Sequence, residues 1–138
     1  MGHKIKSISK LKKDLDKWFS LYIRLRNATE TGLAQCFTCG KIAHYKTLQC
    51  GHFQSRRHLA TRYCDINCQV QCIKCNMYEQ GEQFKFGMNL DYVYGFEKAE
   101  EMQYNATTLI KISRAEYEEK IAYYKSLVNK IKKQKGIE

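Results

Sequence analysis

Two Cys-x-x-Cys pairs constrain the fold of this chain more than any other feature of its sequence. The first pair is Cys36 and Cys39, and the second is Cys72 and Cys75. Four thiolates on two tight turns form the ligand set of a structural zinc ion, and a typical zinc ribbon separates its pairs by about 15–20 residues. Because residues 40–71 all lie between these pairs, we interpret the zinc as a clamp and the long insert as the functional segment.

The charge balance of the chain indicates a polyanionic partner. Its 138 residues include 24 Lys and Arg against 14 Asp and Glu, a formal net charge of +10. Nucleic acid is favoured over a membrane surface because no amphipathic basic helix stands alone at a terminus. No apolar run approaches the roughly 18 residues that span a bilayer, and the first residues lack the apolar segment of a secretory signal.

The cysteine content indicates a reducing compartment, which we take to be the cytoplasm, rather than a disulfide scaffold. The seven cysteines are an odd number, and four of them fall in the two pairs. The other three, Cys50, Cys64 and Cys68, are expected to be free buried thiols. A metal role for any of these three is the lesser alternative.

Periodic apolar residues predict two long helices. Residues 9–27 repeat apolar side chains at spacings of three and four, with Ser9 as the expected N-cap. Ser113 and Glu116 form a capping box at the start of a second helix, residues 113–133. The apolar seam of this second helix must pack on something, and helix 9–27 and a second subunit are equally good partners.

The insert and its surroundings predict a metal knuckle, two strands and a helix in that order. The knuckle covers residues 36–41, the strands 46–54 and 67–71 flank a basic loop 55–66, and the helix begins at Cys75. This order describes a treble-clef or ββα-metal arrangement within a mainly helical α+β fold. We expect a single domain, 1–138, composed of the N-terminal helix 9–27, a zinc-bound module 36–95 and a C-terminal helical arm 96–138.

Three polar residues of this region have the chemistry that phosphodiester cleavage requires. Hydrolysis needs a base to activate water, a divalent cation to stabilise the developing charge, and donors that hold the phosphate. His52 can be the base because a histidine with its usual pKa of about 6.5 is largely neutral at cytoplasmic pH. Asn67 could bond the backbone across the loop, and Asn76 offers an amide oxygen that suits a hard cation.

These residues and the two cysteine pairs around them resemble the HNH, or ββα-metal, nuclease motif. The position of Asn76 directly after the second pair is similar to the endonuclease VII type of phage Holliday-junction resolvase. Beyond the motif, the chain resembles the phage NinG/Rap recombination proteins over most of residues 10–95. The segments that carry this resemblance are LDKWFSLYIRLR, CFTCGK, QCGHFQSRRHLATRY and QCIKCN.

The resemblance implies a structure-selective endonuclease that cuts branched DNA during phage recombination in the host cytoplasm. It implies a catalytic magnesium or manganese ion in addition to the structural zinc. By motif position, His52 would be the base, Asn67 the residue that orients the loop, and Asn76 a ligand of the catalytic metal. Two coordinated nicks resolve a four-way junction, so a homodimer is expected, with helix 113–133 as its interface.

One position departs from the HNH pattern. Many HNH enzymes have an acidic residue or a second histidine just before the catalytic histidine, where it binds the metal, and this chain has Gly51. Glycine has no side chain for coordination, so we expect a carboxylate elsewhere to complete the site. The expected residues are Glu79, one helical turn after Asn76, and Asp65 in the preceding loop, with Glu82 as a weaker third.

The loop after His52 carries the residues expected to bind DNA. Arg56, Arg57 and Arg62 can neutralise phosphates through their guanidinium groups, which gives affinity without sequence preference. His58 is a further phosphate donor, a residue that supports another site residue or, as favoured, a structural histidine. The alternative to an enzyme is a zinc-stabilised module that binds branched DNA without cutting it, in which case Gly51 marks a lost site.

Overall fold

The computed structural model describes residues 5–138 and has a mixed α+β fold in which helices predominate, as predicted. The helices are α1 Ile8–Leu25, α2 Leu59–Arg62, α3 Gln83–Tyr94, α4 Lys98–Ala106 and α5 Arg114–Lys135. The strands are β1 Leu33–Gln35, β2 Ile42–His44, β3 Gln49–His52 and β4 Cys68–Gln71. Among residues 5–138, no helix combines the length and the apolar character that crossing a membrane requires.

The N-cap of helix α1 lies two residues earlier than its sequence pattern predicts. It is Ser7 rather than Ser9, because Ser7 has an extended backbone and its hydroxyl oxygen accepts the N–H of Lys10 at 3.1 Å. The apolar stripe of α1 is buried as predicted and forms one side of the main core. Its buried members are Leu11, Leu15, Phe19, Ile23 and Leu25.

Helix α5 packs against α1 through its apolar seam. A second subunit was the other partner predicted for this seam. The predicted capping box is confirmed: Ser113 and Glu116 exchange hydrogen bonds between side chain and backbone. Tyr124 meets Phe19 edge to face, with 5.0 Å between ring centroids. At the far end, Lys135 Nζ donates to the last carbonyl groups of α1 and its exit turn. The homodimer remains a prediction, and this seam is occupied within the chain.

Two antiparallel hairpins surround the cysteine pairs. The hairpin β1–β2 flanks the first pair and was not predicted, because strands of three residues are too short to show alternation. The hairpin β3–β4 matches the two predicted strands but is shorter, since Tyr45–Thr47 forms a 3₁₀ turn before β3. In its register, His52 lies opposite Cys68.

The region after the second pair differs from the continuous helix that the sequence predicts. A single π-helical turn, Lys74–Tyr78, contains Cys75 of the second pair and then ends. Gln80, Gly81 and Glu82 all have positive φ, which breaks the helix before α3 begins. The basic loop predicted over 55–66 contains the short helix α2. These corrections change the positions of the side chains near the second cysteine pair.

Candidate functional site

The four paired cysteines meet in space. Their sulfur atoms all lie within 4.8 Å of one another, and the sulfurs of Cys39 and Cys72 are 3.7 Å apart. Gly40 closes the first knuckle with a φ of +79°, and its N–H donates to the Cys36 carbonyl at 3.0 Å. This cluster could hold the zinc ion that the sequence predicts, because it supplies the four soft ligands of a tetrahedral site.

The thiols of this cluster have unequal proton affinities. Burial alone would raise the pKa of Cys36, but hydrogen bonds from the Thr38 hydroxyl and from backbone amides lower that pKa to about 6. Burial instead raises the pKa of Cys75 to about 12. A metal ion must therefore displace protons from this cluster at neutral pH, which makes its binding weaker as the pH falls.

His52 is held in one orientation by the last residue of helix α2. Its ring Nε2 lies 2.9 Å from the carbonyl oxygen of Arg62, and because a carbonyl only accepts, Nε2 carries the hydrogen. Nδ1 is then the nitrogen with a free lone pair. Burial lowers the pKa of His52, and the positive charges of Arg56 and Arg62 lower it further. The ring is therefore neutral at neutral pH.

Asn67 joins the two ends of the loop between β3 and α2. The residue is fully buried, and its Oδ1 accepts the N–H of Gln54 at 2.8 Å. Its Nδ2 donates to the carbonyl oxygens of Gln54 and Thr61 at 3.1 and 3.0 Å. This one amide fixes the base of the loop that carries Arg56 and Arg57.

Asn76 lies in the π-helical turn directly after the last paired cysteine. Its backbone N–H donates to the Cys72 carbonyl at 3.0 Å, so the turn fixes its position relative to the thiol cluster. Its side-chain Nδ2 donates to Gln49 Oε1 on β3 at 2.7 Å. The amide oxygen Oδ1 is consequently the atom of this side chain that can bind a cation.

Two open clefts meet at His52 and Asn76, which line both of them. The α1 cleft, of about 590 Å³, lies between α1 and β3. The loop cleft, of about 650 Å³, lies between the loop after β3 and the turn before α3. Basic side chains line these clefts, which suits a phosphate backbone. They are Lys13, Lys17, Arg24 and Arg56 in the α1 cleft, and Arg56, Arg57 and His58 in the loop cleft.

The carboxylates predicted to complete a metal site do not line either cleft. Asp65 is exposed and accepts a hydrogen bond from the Tyr22 hydroxyl at 3.4 Å. Glu79 is exposed at the end of the π-helical turn, because the helix that would have aligned it with Asn76 stops there. Glu82 lies in the left-handed break and is 3.8 Å from Lys85.

Asp16 of α1 is the carboxylate that lines the α1 cleft, and the sequence analysis did not identify it. Its oxygens accept hydrogen bonds from Arg62 at 2.6 Å, from Arg56 at 2.8 Å and from the Tyr63 hydroxyl at 2.8 Å. Burial alone would raise the pKa of Asp16, but these bonds outweigh it and lower the pKa. The Arg62 side chain is thus bound to α1 and only 12% exposed, unlike Arg56 at 59%.

The structure gives a steric reason for glycine at position 51. A Cβ atom built on Gly51 would lie 1.8 Å from the buried Gln71 Oε1. Successive residues of a strand face opposite sides, so position 51 points away from the clefts that His52 lines. A side chain at this position could neither fit nor reach the clefts.

A second group of soft ligands, which the sequence analysis did not expect, lies on β3 and β4. The ligand atoms of Cys50, His52 and Cys68 all lie within 4.8 Å of one another. Cys64, the remaining unpaired cysteine, is not a member of this group, and its sulfur is 3.8 Å from that of Met102. Two of the three cysteines outside the Cys-x-x-Cys pairs therefore adjoin His52.

The comparisons with known proteins give a family. A family model described as "Bacteriophage Lambda NinG protein" matches residues 2–135. No curated protein and no solved structure matches the chain. The family match extends over nearly the whole sequence and includes both cysteine pairs, His52 and the loop after it. This chain therefore belongs to the bacteriophage lambda NinG protein family.

Proposed function

We propose that this protein is an HNH-type, metal-dependent endodeoxyribonuclease that hydrolyses phosphodiester bonds in branched DNA. The observation that supports this function best is the convergence of His52 and Asn76 on the same two basic clefts. The two residues come from different elements, a strand and a π-helical turn. The four-thiol cluster adjoins that turn, so a bound zinc ion would hold the turn in place.

The arrangement of elements supports a treble-clef, or ββα-metal, module. The first cysteine pair precedes the hairpin β3–β4. In the second pair, Cys72 directly follows β4 and Cys75 lies in the π-helical turn. In this module, β3 supplies the base and the turn supplies a metal ligand. Asn67 acts on neither substrate nor metal directly. Its three hydrogen bonds hold the loop after β3 and helix α2, whose Arg62 carbonyl orients His52.

The reaction begins with a proton transfer to His52. Nδ1 accepts a proton from a water molecule while Nε2–H stays bonded to Arg62, and the resulting hydroxide attacks phosphorus as the bond to the leaving oxygen breaks. Magnesium or manganese, bound by Asn76 Oδ1 and otherwise by water and phosphate oxygens, would stabilise the negative charge on the phosphate and leaving oxygen. Arg56 and Arg57 hold the flanking phosphates.

The substrate and its biological setting rest on the family resemblance. The basic clefts and the net charge of +10 support binding to any DNA backbone. Selectivity for Holliday junctions, and a role in phage recombination, come from the similarity to NinG/Rap proteins. A homodimer that makes two coordinated nicks belongs to the same proposal.

A nicking assay on labelled DNA tests the activity. Native protein is incubated with four-way junctions and with linear duplex, in magnesium and then in manganese. We expect metal-dependent nicks that favour the junction and fall by about 10²–10⁴-fold in His52→Ala, the range that a general base contributes. His44→Ala is the matched control, since His44 lies at the start of the 3₁₀ turn and lines neither cleft. Equal cutting by native protein and His52→Ala would disprove the assignment.

A module that binds branched DNA without cutting it is the second candidate function. The observation that favours it is the state of Asp16, the carboxylate in the α1 cleft, whose charge two arginines already neutralise. Tight junction binding with no nicks under any divalent ion would support this module over the enzyme.

A further inference from the structure

The hairpin β3–β4 presents three soft ligands on one face. Cys50 and His52 are two residues apart on β3, so their side chains share a face. Cys68 lies directly opposite His52 on β4. The ligand atoms of all three lie within 4.8 Å of one another, the same limit that describes the four paired cysteines. Ligands at this separation need only a small contraction to reach the roughly 3.8 Å between sulfurs of a tetrahedral zinc site.

This group can be reached from solvent on one side. Cys50 and His52 are partly exposed and line both clefts. Cys68 is fully buried beneath them in the core against α1. An ion that entered from a cleft would meet three protein ligands and keep its fourth position open to the cleft, as the zinc ions of catalytic sites do.

We propose that Cys50, His52 and Cys68 bind a second soft divalent ion, Zn²⁺ or a chemically similar ion such as Cd²⁺. The ligand set of two sulfurs and one imidazole excludes Mg²⁺ and Ca²⁺ as good occupants, because these hard ions take oxygen ligands. Binding replaces the protons of both thiols, and two thiolates neutralise the divalent charge. A neutral complex suits a half-buried place that already faces the positive charges of Arg56 and Arg62.

Occupation of this second site switches off His52 as a base, a consequence that rests on the proposed nuclease function. If the ion binds Nδ1, it takes the lone pair that would accept the proton. If it binds Nε2, the bond to Arg62 is lost and the ring hydrogen moves to Nδ1, which then cannot accept a proton. Either mode of binding therefore blocks the first step of the reaction. The second ion is an inhibitor, in contrast to the structural zinc.

The count of bound metal ions tests the site without reference to any activity. Full-length native protein, Cys50→Ser and Cys64→Ser are stripped of loose metal and titrated with Zn²⁺ against a chromophoric chelator. We expect two ions per chain in the native protein and in Cys64→Ser. In Cys50→Ser we expect one tight ion, with the second bound at least about tenfold more weakly. Cys64→Ser is the matched control because it also removes an unpaired, partly buried thiol, and Cys64 lies outside the group.

Substitution with Co²⁺ provides a second readout and guards against misfolding. Thiolate-to-cobalt absorption should grow in two steps in the native protein and in one step in Cys50→Ser and Cys50→Ala, with circular dichroism matching native protein. One ion per chain in the native protein overturns the proposal. The proposal is also overturned if both Cys50 variants bind two ions with unchanged affinity.

The nicking assay then tests the consequence. For each protein, the rate with micromolar Zn²⁺ is divided by the rate without it, in excess magnesium. We expect this ratio to fall at least about tenfold for native protein and Cys64→Ser and to stay near one for Cys50→Ser. A second zinc ion that leaves the ratio near one for native protein disproves inhibition. If no preparation cuts DNA, the proposed function fails, while the metal count still decides the site.

Discussion

Asn67 and Asn76 have the same side-chain amide in different surroundings, and this difference separates the structural role of Asn67 from the metal-binding role that we propose for Asn76. Asn67 is fully buried and uses both ends of its amide on the backbone of the loop after β3. Asn76 is only partly buried and uses one end, on Gln49. Substitution of the two residues should therefore affect different measurements.

Alanine at each position tests this separation. Asn67→Ala leaves the partly buried N–H and carbonyl of Gln54 without partners and removes one of the bonds that the Thr61 carbonyl accepts, so we expect a loss of about 3 kcal/mol in the free energy of unfolding. Asn76→Ala should lose less than about 1 kcal/mol but most of the metal-dependent nicking. Denaturant unfolding measures the stability of each variant, and the nicking assay measures its activity. Similar losses of stability in the two variants would contradict the separation of roles.

Gly51 is constrained by its neighbour on β4 rather than by its backbone angle. A Cβ atom at this position would overlap Gln71, whose Nε2 donates to Thr38 and to the Gly81 carbonyl at 3.0 and 2.9 Å. Gln71 is fully buried, and moving it aside would break these two hydrogen bonds at a cost in stability. The departure from the HNH pattern therefore has a packing cause in this chain.

A double-mutant cycle measures this overlap. We expect Gly51→Ala to reduce the free energy of unfolding by about 1–3 kcal/mol, the usual cost of overpacking. In a Gln71→Ala background, the same change should cost at least about 1 kcal/mol less, because the overlapping atoms are gone. Chemical denaturation of the four proteins gives the coupling energy. A cost that is identical in both backgrounds would show that Gln71 does not set the constraint.

At the scale of elements, the long helices were predictable and the short elements were not. Helices α1 and α5 have several turns of apolar periodicity and a capping serine, so their sequence patterns agree with their packing. Hairpin β1–β2 has strands of three residues, too short for alternation to be detected. The helix break at Gln80–Glu82 was missed because two of its three left-handed residues are not glycine.

At the site too, only the residues that are close in sequence could be predicted to meet. Metal ligands in Cys-x-x-Cys pairs are close in sequence, so their meeting could be inferred from spacing. Asp16 reaches the α1 cleft from another element, and no local pattern connects it with His52. Cys50 and Cys68 join His52 only because the register of β3–β4 sets them on one face. Sites formed by tertiary packing need the packing to be known.

Asp16 connects α1 to Arg62 of α2, whose carbonyl oxygen holds His52, so the charge of Asp16 should stabilise the fold. We expect Asp16→Asn to lower the free energy of unfolding by about 1–3 kcal/mol at neutral pH, since its hydrogen bonds join charged groups. The control is Asp14→Asn on the same helix, where an exposed pairing with Lys6 and Lys10 should contribute less than about 1 kcal/mol.

The pH dependence of this contribution has a definite sign. The folded protein lowers the pKa of Asp16 below its ordinary value, so the stabilisation is fully present above pH of about 4. It is lost as the pH falls below that value and the carboxylate takes up a proton. The difference between native protein and Asp16→Asn should therefore be constant from about pH 5 to 8 and shrink below about pH 4. A difference that grows on acidification would contradict the ion pair.

At the scale of the whole molecule, the proposed site belongs to no single part of the chain. Helix α1 forms one wall of the α1 cleft, and β3, Arg56 of the following loop and the π-helical turn form the other. Helix α5 lines neither cleft and contributes by holding α1 in place. A DNA backbone that reached His52 would therefore pass lysines of α1 that lie outside the HNH-like segment.

The salt dependence of DNA binding distinguishes these contacts from the overall charge. Lys13→Gln with Lys17→Gln removes two charges from the α1 cleft, whereas Lys130→Gln with Lys133→Gln removes two exposed charges from α5. Both variants lower the net charge equally, so a long-range effect would be the same in both.

Each phosphate contact on duplex DNA contributes about −0.9 to the slope of log affinity against log salt. We therefore expect the first variant to flatten the slope for junction binding by about 1–2 and the second to change it little. Equal slopes in the two variants would mean that DNA binding depends only on the net charge of the molecule. That result would exclude the α1 cleft as the proposed DNA-binding surface.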